Sequence, residues 1–255
     1  MALLKGKTVL VMGVANRWSI AWAVAKAVVR EGAQLILTYQ GERQKKTAED
    51  LGKGLKASRI LPCDVGKDAE VARLFDSLKQ EDIGLDVLIH SLAFANREDL
   101  DRPLHETSRE GFSLALDVSA YSMIKVAHHA VPLMSEGGSI VTMTYLGSTR
   151  AVKNYNIMGV AKAALEASVR YLASELGPRG IRVNAISAGP IKTASARAVK
   201  DFSAMLTAVE ERAPLRKNTD PAEVGDVAVF LASHLARGIT GEVIFVDGGY
   251  NIIGL

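Results

Sequence analysis

A tyrosine and a lysine on one predicted helix are the residues of this sequence best suited to chemistry. They are Tyr155 and Lys162, within the stretch KNYNIMGVAKAALEASVRYLASEL at 153–176. On an α-helix, residues seven apart differ by about 20° in direction and about 10.5 Å in height, so both side chains lie on one face. A phenol and a nearby ammonium can together stabilise an oxygen that gains negative charge. The pair indicates a catalytic site of this kind; a surface pair is the alternative.

Short β-branched runs alternate with longer helical patterns along the whole chain, and the runs are apolar on both faces. Strands of this kind, separated by helices, are typical of a parallel sheet with helices on each side. The sequence predicts one domain over 1–255, an α/β fold of the doubly wound, Rossmann type with a seven-stranded parallel sheet. The strands are predicted at 7–13, 33–39, 58–64, 85–91, 138–144, 181–187 and 241–249. The helices are predicted at 19–32, from about 42, and at 68–80, 105–134, 153–176, 195–212 and 221–235.

Residues 189–218 follow the carboxyl end of the sixth predicted strand, where ligands bind in open α/β sheets. The stretch mixes a helical pattern with Pro190 and Pro214, and it predicts a small substrate-binding lid; a peripheral helix pair is the alternative. Phe202 and Met205 lie three apart within it, a spacing that suits either an acyl channel or helix core packing.

The turn after the first predicted strand, GVANRWSIA, indicates a dinucleotide-binding loop that is short of glycines. Such a loop needs a tight turn, a close backbone approach and a helix N-terminus aimed at the pyrophosphate. Gly13 supplies a residue without a Cβ, and Ser19 is a good N-cap whose hydroxyl can donate to a phosphate. An ordinary strand–loop–helix connection with a serine cap is the alternative.

Two further strand ends carry small or polar residues. In CDV, Asp64 can accept a hydrogen bond from the adenine amino group and Val65 can contact the ring. In HSLAFA, Ser91 and the small Ala93 lie beside the expected cofactor path. Each stretch alone could be core packing or a capped turn, but with the first turn they favour a nicotinamide dinucleotide.

The end of the second strand selects between the two nicotinamide cofactors. An acidic residue there binds the ribose hydroxyls, whereas an arginine nearby accommodates a 2′-phosphate. In TYQGERQKK the position holds Gln40, which can bond a ribose hydroxyl and brings no charge for a phosphate. The sequence therefore favours NADH, with NADPH left open by Arg43, Lys45 and Lys46 slightly further on.

The composition argues against several other classes of protein. The 31 basic and 28 acidic residues give a net charge of +3 and are spread along the chain, so no nucleic acid partner is expected. No apolar run reaches the ~18 residues of a membrane span, and the start of the chain lacks the pattern of a signal peptide. Cys63 is the only cysteine, so a reducing, cytoplasmic location is expected. The five histidines show no metal-ligand spacing, so no metal is expected.

The order of these motifs resembles the short-chain dehydrogenase/reductase family over essentially the whole chain. The resemblance rests on the early phosphate loop, Asp64, the helix with Tyr and Lys, AGPIKT at 188–193 and VDGG at 246–249. It implies the same doubly wound fold and a nicotinamide cofactor.

Two of the three standard catalytic positions of that family hold other residues here. Standard members have a Tyr four residues before the Lys and a Ser seventeen before it, where this sequence has Met158 and Tyr145. The loop GVANRWSIAWAVA, the segment HSLAFA, Tyr145, and Tyr155 with six residues before Lys162 look like a divergent branch of the family. Members of that branch reduce enoyl-acyl carrier protein thioesters.

The resemblance implies reduction of a trans-2-enoyl thioester in fatty acid elongation by NADH or NADPH, with an acyl carrier protein-linked substrate and a homotetramer. It implies that Tyr155 donates to the enolate oxygen, that Lys162 holds the nicotinamide ribose, and that Tyr145 positions the thioester. Ile191 and Thr193 would contact the nicotinamide carboxamide. The predicted catalytic residues are Tyr155, Lys162 and Tyr145; the predicted cofactor-binding residues are Gly13, Ser19, Ile20, Gln40, Asp64, Val65, Ser91, Leu92, Ala93, Lys162, Ile191 and Thr193; the predicted substrate-binding residues are Ala95, Tyr145, Tyr155, Phe202 and Met205.

Two other functions stay open at this point. A carbonyl reductase or alcohol dehydrogenase of the same fold would need Ser and Tyr where Tyr145 and Met158 stand. A non-catalytic dinucleotide-sensing protein would have no need for Tyr155 and Lys162 to be aligned. The choice between acyl carrier protein and coenzyme A as the natural thiol is also open, as is the choice between Tyr155 and water as the donor of the α-carbon proton.

Overall fold

The computed structural model describes residues 2–193, 196 and 199–254. In these residues seven strands form one parallel sheet in the order β3-β2-β1-β4-β5-β6-β7. The strands are β1 (Thr8–Met12), β2 (Gln34–Tyr39), β3 (Arg59–Pro62), β4 (Val87–His90), β5 (Gly138–Thr144), β6 (Ile181–Ala188) and β7 (Val243–Val246). The predicted doubly wound fold is confirmed, and every observed strand lies within its predicted range except β6, which continues one residue further.

Capping residues mark where the first and the last helix of the chain begin. Ser19 Oγ accepts a hydrogen bond from the backbone N–H of Trp22 at 3.3 Å at the start of the first helix. Asp220 and Glu223 form a capping box around Pro221 at the start of the last. The helices of the described residues are α1 (Ile20–Arg30), α2 (Gly41–Gly54), α3 (Asp68–Gln80), α4 (Arg97–Asp101), α5 (Arg109–Leu116), α6 (Ser122–Ala130), α7 (Asn156–Leu176), α8 (Phe202–Arg212) and α9 (Pro221–Ala232).

Helices cover both faces of the sheet because its central strands are apolar on both. On β1, Leu10 and Met12 pack into the core shared with α3, α6 and α7, whereas Val9 and Val11 pack into the core shared with α1 and α9. All four side chains are fully buried. Each such side chain contributes roughly 1.5–3 kcal/mol by leaving water, so the two cores hold the strand ends in a fixed arrangement.

The predicted long helical region over 105–134 is confirmed over 109–133, although it is not a single α-helix. The segment is divided into α5 and α6 by a π-helical stretch, Asp117–Tyr121. On this stretch the buried Ser119 hydroxyl donates to the Phe94 carbonyl at 3.1 Å and accepts from the Phe94 N–H at 3.0 Å. These bonds join the helix to the loop after β4, and such a tertiary contact leaves no trace in helical periodicity.

The predicted helix over 195–212 is observed only as α8, which begins at Phe202. Residues 194, 195, 197 and 198 of the predicted helix and lid lie outside the described residues. The last predicted helix, 221–235, ends at Ala232, and Ser233 follows in an extended conformation. Within the described ranges, every helix is too short or too polar to cross a lipid bilayer.

Candidate active site

Strands β1 and β4 are neighbours at the point where the strand order of the sheet reverses, with β2 and β3 on one side and β5, β6 and β7 on the other. Open α/β sheets bind ligands at such a topological switch point. A cavity of about 590 Å³ lies there, at the carboxyl ends of β1, β4, β5 and β6. Its walls include every predicted site residue except Asp64 and Val65, namely Gly13, Ser19, Ile20, Gln40, Ser91, Leu92, Ala93, Ala95, Tyr145, Tyr155, Lys162, Ile191, Thr193, Phe202 and Met205.

Gly13 is required by close packing of two strand ends. Its φ is +101°, and a Cβ on this residue would lie 2.0 Å from the carbonyl oxygen of Ser91. The left-handed backbone and the contact both exclude a side chain. The ends of β1 and β4 therefore meet backbone to backbone beneath the cavity.

The N-terminus of α1 faces the cavity, and Asn16, Ser19 and Ile20 line it there. The Ser19 hydroxyl accepts from Trp22 and donates its proton to the Asn16 carbonyl at 2.7 Å. The predicted N-cap is thus confirmed, while donation from Ser19 to a phosphate stays a prediction. The free N–H groups and the dipole of the helix favour an anion at this end.

Gln40 lies at the exposed end of the cavity. Its amide nitrogen donates to Asp64 Oδ1 at 3.1 Å, and the same oxygen accepts from the Gly66 N–H at 3.1 Å. Val65 is buried in the core shared with α3. Asp64 and Val65 lie outside the cavity wall, so their predicted contacts with adenine stay predictions.

Tyr155 is the N-cap of α7, not a residue inside the helix as predicted. Its ring contacts that of Tyr145 edge to face, with centroids 4.8 Å apart and planes at 67°. The Tyr145 hydroxyl donates to the Met205 sulfur at 3.2 Å. Burial raises the pKa of both phenols well above the usual value of 10.0, so both stay protonated and can donate hydrogen bonds at neutral pH.

Two glycines that sequence reasoning missed set the position of Tyr155. A Cβ on Gly147 would lie 2.5 Å from Tyr155 Cδ1, and a Cβ on Gly159 would lie 2.7 Å from the Gly147 carbonyl oxygen. The first glycine follows Tyr145 by two residues and the second follows Tyr155 by four. This closeness in sequence to two predicted catalytic tyrosines could have identified both glycines.

Lys162 is 4% exposed, and its ammonium donates to the Met143 carbonyl oxygen at 2.8 Å. Loss of water lowers the pKa of this amine to about 8, and the negative charge of Glu166 opposes the shift. Met158, at the position of the standard family tyrosine, is buried and lines the cavity.

His90 forms a buried hydrogen-bonded network beneath the cavity, which sequence reasoning did not predict. Nδ1 lies 2.9 Å from Thr142 Oγ1, and Nε2 lies 2.8 Å from Ser122 Oγ. Burial, with a smaller effect of Lys162, lowers the pKa of His90 to about 3. The neutral ring has one N–H, so it donates to one hydroxyl and accepts from the other. The network joins β4, β5 and α6.

The predicted lid contacts the loop that precedes Tyr155. Asn154 has a φ of +62°, and its side-chain nitrogen donates to the Lys200 carbonyl at 2.9 Å. Phe202 and Met205 of α8 line the cavity opposite the tyrosines. The same surface is thus formed by two segments distant in sequence.

Cys63 is buried and lines the cavity. Burial raises the pKa of its thiol to about 12, and the negative charges of Glu70 and Asp64 add to the effect. The thiol is therefore neutral at physiological pH.

A doubly wound parallel sheet, a helix N-terminus that faces its crevice and a buried Tyr–Lys pair in the wall of the same crevice define the class of nicotinamide dinucleotide-dependent oxidoreductases. Comparison with known proteins narrows this class. The model of the family described as enoyl-(acyl carrier protein) reductase matches residues 13–251.

A Bacillus cereus protein named enoyl-acyl carrier protein reductase (NADH) FabI is 56% identical over 256 residues, covering 100% of both chains. A Staphylococcus aureus (strain MRSA252) relative, named as the NADPH enzyme, is 52% identical and covers 98% of both chains. The crystal structure of the B. cereus reductase with NADP⁺ and indole naphthyridinone matches with a TM-score of 0.98 at 56% identity, covering 100% of both chains. This chain therefore belongs to the enoyl-acyl carrier protein reductase family, which confirms the resemblance found in its motifs.

Proposed function

We infer that this protein reduces the trans-2 double bond of enoyl-acyl carrier protein thioesters, the reductive step that closes each cycle of fatty acid elongation, with NADH as cofactor. The observation that carries this function is the Tyr–Lys pair at the cavity wall, with Tyr155 seven residues before Lys162 and Met158 in the standard tyrosine position. A carbonyl reductase of this fold needs a phenol at that position, and methionine cannot supply one.

The cavity fits an extended dinucleotide. We assign the adenosine to the end lined by Gln40 and the nicotinamide to the end lined by Tyr155 and Lys162. The α1 N-terminus between them suits the pyrophosphate, because its N–H groups face the cavity. Gly13 leaves the backbone free of a Cβ at the same place. When bound, the nicotinamide supplies the hydride.

The position of Tyr155 suits the charge that reduction of an enoyl thioester creates. Hydride adds to the β-carbon, and negative charge appears on the thioester oxygen, two carbons further along the substrate. In a ketone, by contrast, charge appears on the oxygen of the attacked carbon. A tyrosine moved from four to seven residues before the lysine is displaced by roughly 4.5 Å along a helix axis. This displacement supports a role for Tyr155 as hydrogen-bond donor to the thioester oxygen.

The remaining residues bind and orient. Lys162 would hold the nicotinamide ribose hydroxyls, and its charge would favour the developing enolate. Tyr145 would line the thioester pocket beside Tyr155. Ile191 is buried and Thr193 half-buried after β6, where they would contact the carboxamide.

NADH is favoured because Gln40 brings no positive charge for a 2′-phosphate. The names of the relatives include both forms, NADH for the B. cereus protein and NADPH for the S. aureus protein. The acyl group is proposed to arrive on acyl carrier protein. The lone Cys63 supports a cytoplasmic location, where thiols stay reduced.

Residues 189–218 are proposed to form the substrate lid. Phe202 and Met205 supply apolar side chains to the cavity, and the Asn154–Lys200 hydrogen bond anchors the segment beside Tyr155. An acyl chain would lie against these apolar groups. Substrates of increasing chain length should lose their advantage in kcat/KM when Phe202 is changed to Ala; an unchanged chain-length profile would contradict the lid.

A homotetramer is proposed from two separate groups of exposed apolar side chains. Two faces that each pair with their own copy about a two-fold axis produce a closed tetramer. One group lies on α5, α6, α7 and the π-helical stretch, and the other beside the edge strand β7: Phe112, Tyr121, Ile124 and Tyr171 in the first, Leu235, Phe245 and Ile252 in the second. Sedimentation equilibrium giving a monomer or dimer mass would contradict the proposal.

The function is tested by absorbance at 340 nm with purified protein, NADH and 2-dodecenoyl thioester, beside a matching 3-ketoacyl thioester. Oxidation is expected with the enoyl substrate alone. Tyr155→Phe and Lys162→Ala should abolish it, while Lys26→Ala, which changes an exposed residue, should not. Turnover of the ketoacyl substrate alone would show a carbonyl reductase. No turnover with NADH or NADPH would point to a sensing protein.

A further inference from the structure

A buried acid on α7 is used by none of the steps above. Glu166 is 6% exposed and lies one helical turn after Lys162. A buried carboxylate is costly unless it is paired or hydrogen-bonded, yet the ion pairs among the described residues do not include Glu166. Such a group calls for an explanation.

A hydrogen bond joins the Glu166 side chain to the end of β5. Its Oε1 accepts from Thr144 Oγ1 at 2.6 Å, within the range of about 2.5–2.7 Å for a hydroxyl that donates to a carboxylate. Thr144 lies at the end of β5 and lines the cavity. The carboxylate is thus held against the cavity wall.

Two charged side chains of α7 are anchored on consecutive residues of β5. Lys162 donates to the Met143 carbonyl, and Glu166 accepts from Thr144, the next residue. Residues four apart on a helix have Cβ atoms about 5–6 Å apart on one face. The two side chains therefore lie on one face of α7 in a buried site, where Coulomb interactions act strongly even between groups that form no ion pair.

Other titratable groups near Lys162, or on elements packed against its helix, are neutral, hydrogen-bonded elsewhere or exposed. His90 on β4 is neutral, and Tyr145 and Tyr155 are protonated phenols at neutral pH. On α4, Asp99 accepts hydrogen bonds from the Ser108 backbone and hydroxyl. In the π-helical stretch, Asp117 is exposed to solvent.

We propose that Glu166 is a positioning residue that keeps the Lys162 amine in its charged form at the nicotinamide end of the cavity. The proposal rests on the proposed function, because it assigns that charge to ribose binding and to stabilisation of the enolate. Loss of the carboxylate would leave desolvation unopposed, and a larger fraction of Lys162 would be neutral near pH 7 to 8. Both cofactor affinity and turnover should then decline at lower pH than in the unmodified protein.

Glu166→Gln tests this, because glutamine keeps an acceptor for Thr144 and removes the charge. Two quantities are measured from pH 6 to 10: the Kd for NADH by fluorescence, and kcat/KM for the enoyl thioester. In both pH profiles the change at alkaline pH (the alkaline limb) should move to lower pH by about 1 unit, so that at pH 8 the Kd rises and kcat/KM falls by up to about tenfold, while at pH 6 both change little. Glu175→Gln, an exposed acid on the same helix, is the matched control and should leave the limb in place.

Glu166→Asp provides a graded variant. Its shorter side chain draws the carboxylate away from Lys162, so its limb should lie between those of wild type and Glu166→Gln; if the Gln variant does not fold, this variant alone carries the test. A limb at the wild-type pH in the folded variants, or an equal loss at every pH, overturns the proposal. Absence of enoyl turnover in the wild type would instead refute the proposed function, and the NADH binding curves would still decide the role of Glu166.

Discussion

The two ends of the cavity differ in how far their polar and charged side chains are exposed to water. At the adenosine end, Gln40 is exposed and uncharged, and one hydrogen bond joins it to Asp64. At the nicotinamide end, Lys162 and Glu166 are buried, and His90 is buried and neutral. The first end is exposed to water, whereas the charged side chains of the second end are buried.

This difference determines what a substitution can change. Water screens charges at an exposed site, so a new charge there changes the free energy of binding only slightly. In a dry site the same charge acts more strongly, and a displaced ring has no room to relax. Substitutions at the nicotinamide end should therefore alter rate and pH dependence, whereas those at the adenosine end should alter cofactor preference.

The largest effect is expected from Gly147→Ala at the nicotinamide end. The new methyl group would lie 2.5 Å from Tyr155 Cδ1, so the ring must move. A displacement of about 1 Å at a catalytic group can lower the rate by about 10²-fold. Steady-state kinetics well below the melting temperature should show a loss of this order in kcat, and the overpacking should also lower the melting temperature.

Gly54→Ala at the end of α2 is the control, because a Cβ there meets nothing within 4 Å. Wild-type kcat in Gly147→Ala would mean that the Tyr155 position is not critical, and the contrast between a rigid and a tolerant end would fail.

An effect of intermediate size is expected from replacing His90, and the quantity it changes is the pH dependence of stability. The unfolded chain protonates this residue below about 6.5, whereas the folded protein keeps it neutral down to about 3. In that window the unfolded state binds more protons, so stability falls as pH falls, by up to roughly 1.4 kcal/mol per pH unit from this residue.

Urea unfolding of His90→Asn at fixed protein concentration should show a shallower decline than wild type between pH 6.5 and 4. The slope is the readout, so an overall loss of stability in the variant does not affect the comparison. Parallel slopes would show that His90 does not stay neutral in the folded protein.

The smallest effect is expected at the adenosine end. Gln40→Arg adds a guanidinium that can bond a 2′-phosphate, so the ratio of kcat/KM for NADPH to that for NADH should rise by up to about tenfold, equivalent to ~1.4 kcal/mol. Gln80→Arg, on the exposed end of α3, should leave the ratio unchanged. A loss of kcat with both cofactors would contradict the view that this end sets preference alone.

The strands and their order in the chain could be predicted because buried parallel strands have a local signature, a short apolar run between helical patterns. The cavity wall could be predicted for the same reason, since residues at successive carboxyl strand ends must meet. The π-helical stretch Asp117–Tyr121 could not be predicted, because it accompanies contacts of Ser119 with Phe94, which is distant in sequence.

The electrostatics of the site also escaped prediction. Glu166 reads as one more polar residue on a helix, and His90 as a histidine without metal-ligand spacing. Their roles depend on Thr144, Thr142 and Ser122, which only the folded sheet brings near. Val65, expected beside adenine, is buried and packs with the core shared with α3, and its contact with adenine stays a prediction.

The single cysteine can report, through its rate of alkylation, how often the cavity opens. A thiol with a pKa near 12 is almost wholly neutral at pH 8, and its burial keeps alkylating reagents away. In the unfolded chain the same thiol would titrate near its ordinary pKa of about 8.5 and react readily. Because Cys63 lies in the cavity wall, its labelling rate would measure how often the crevice opens, and a ligand that occupies the crevice would be detected as slower labelling without any substrate being turned over.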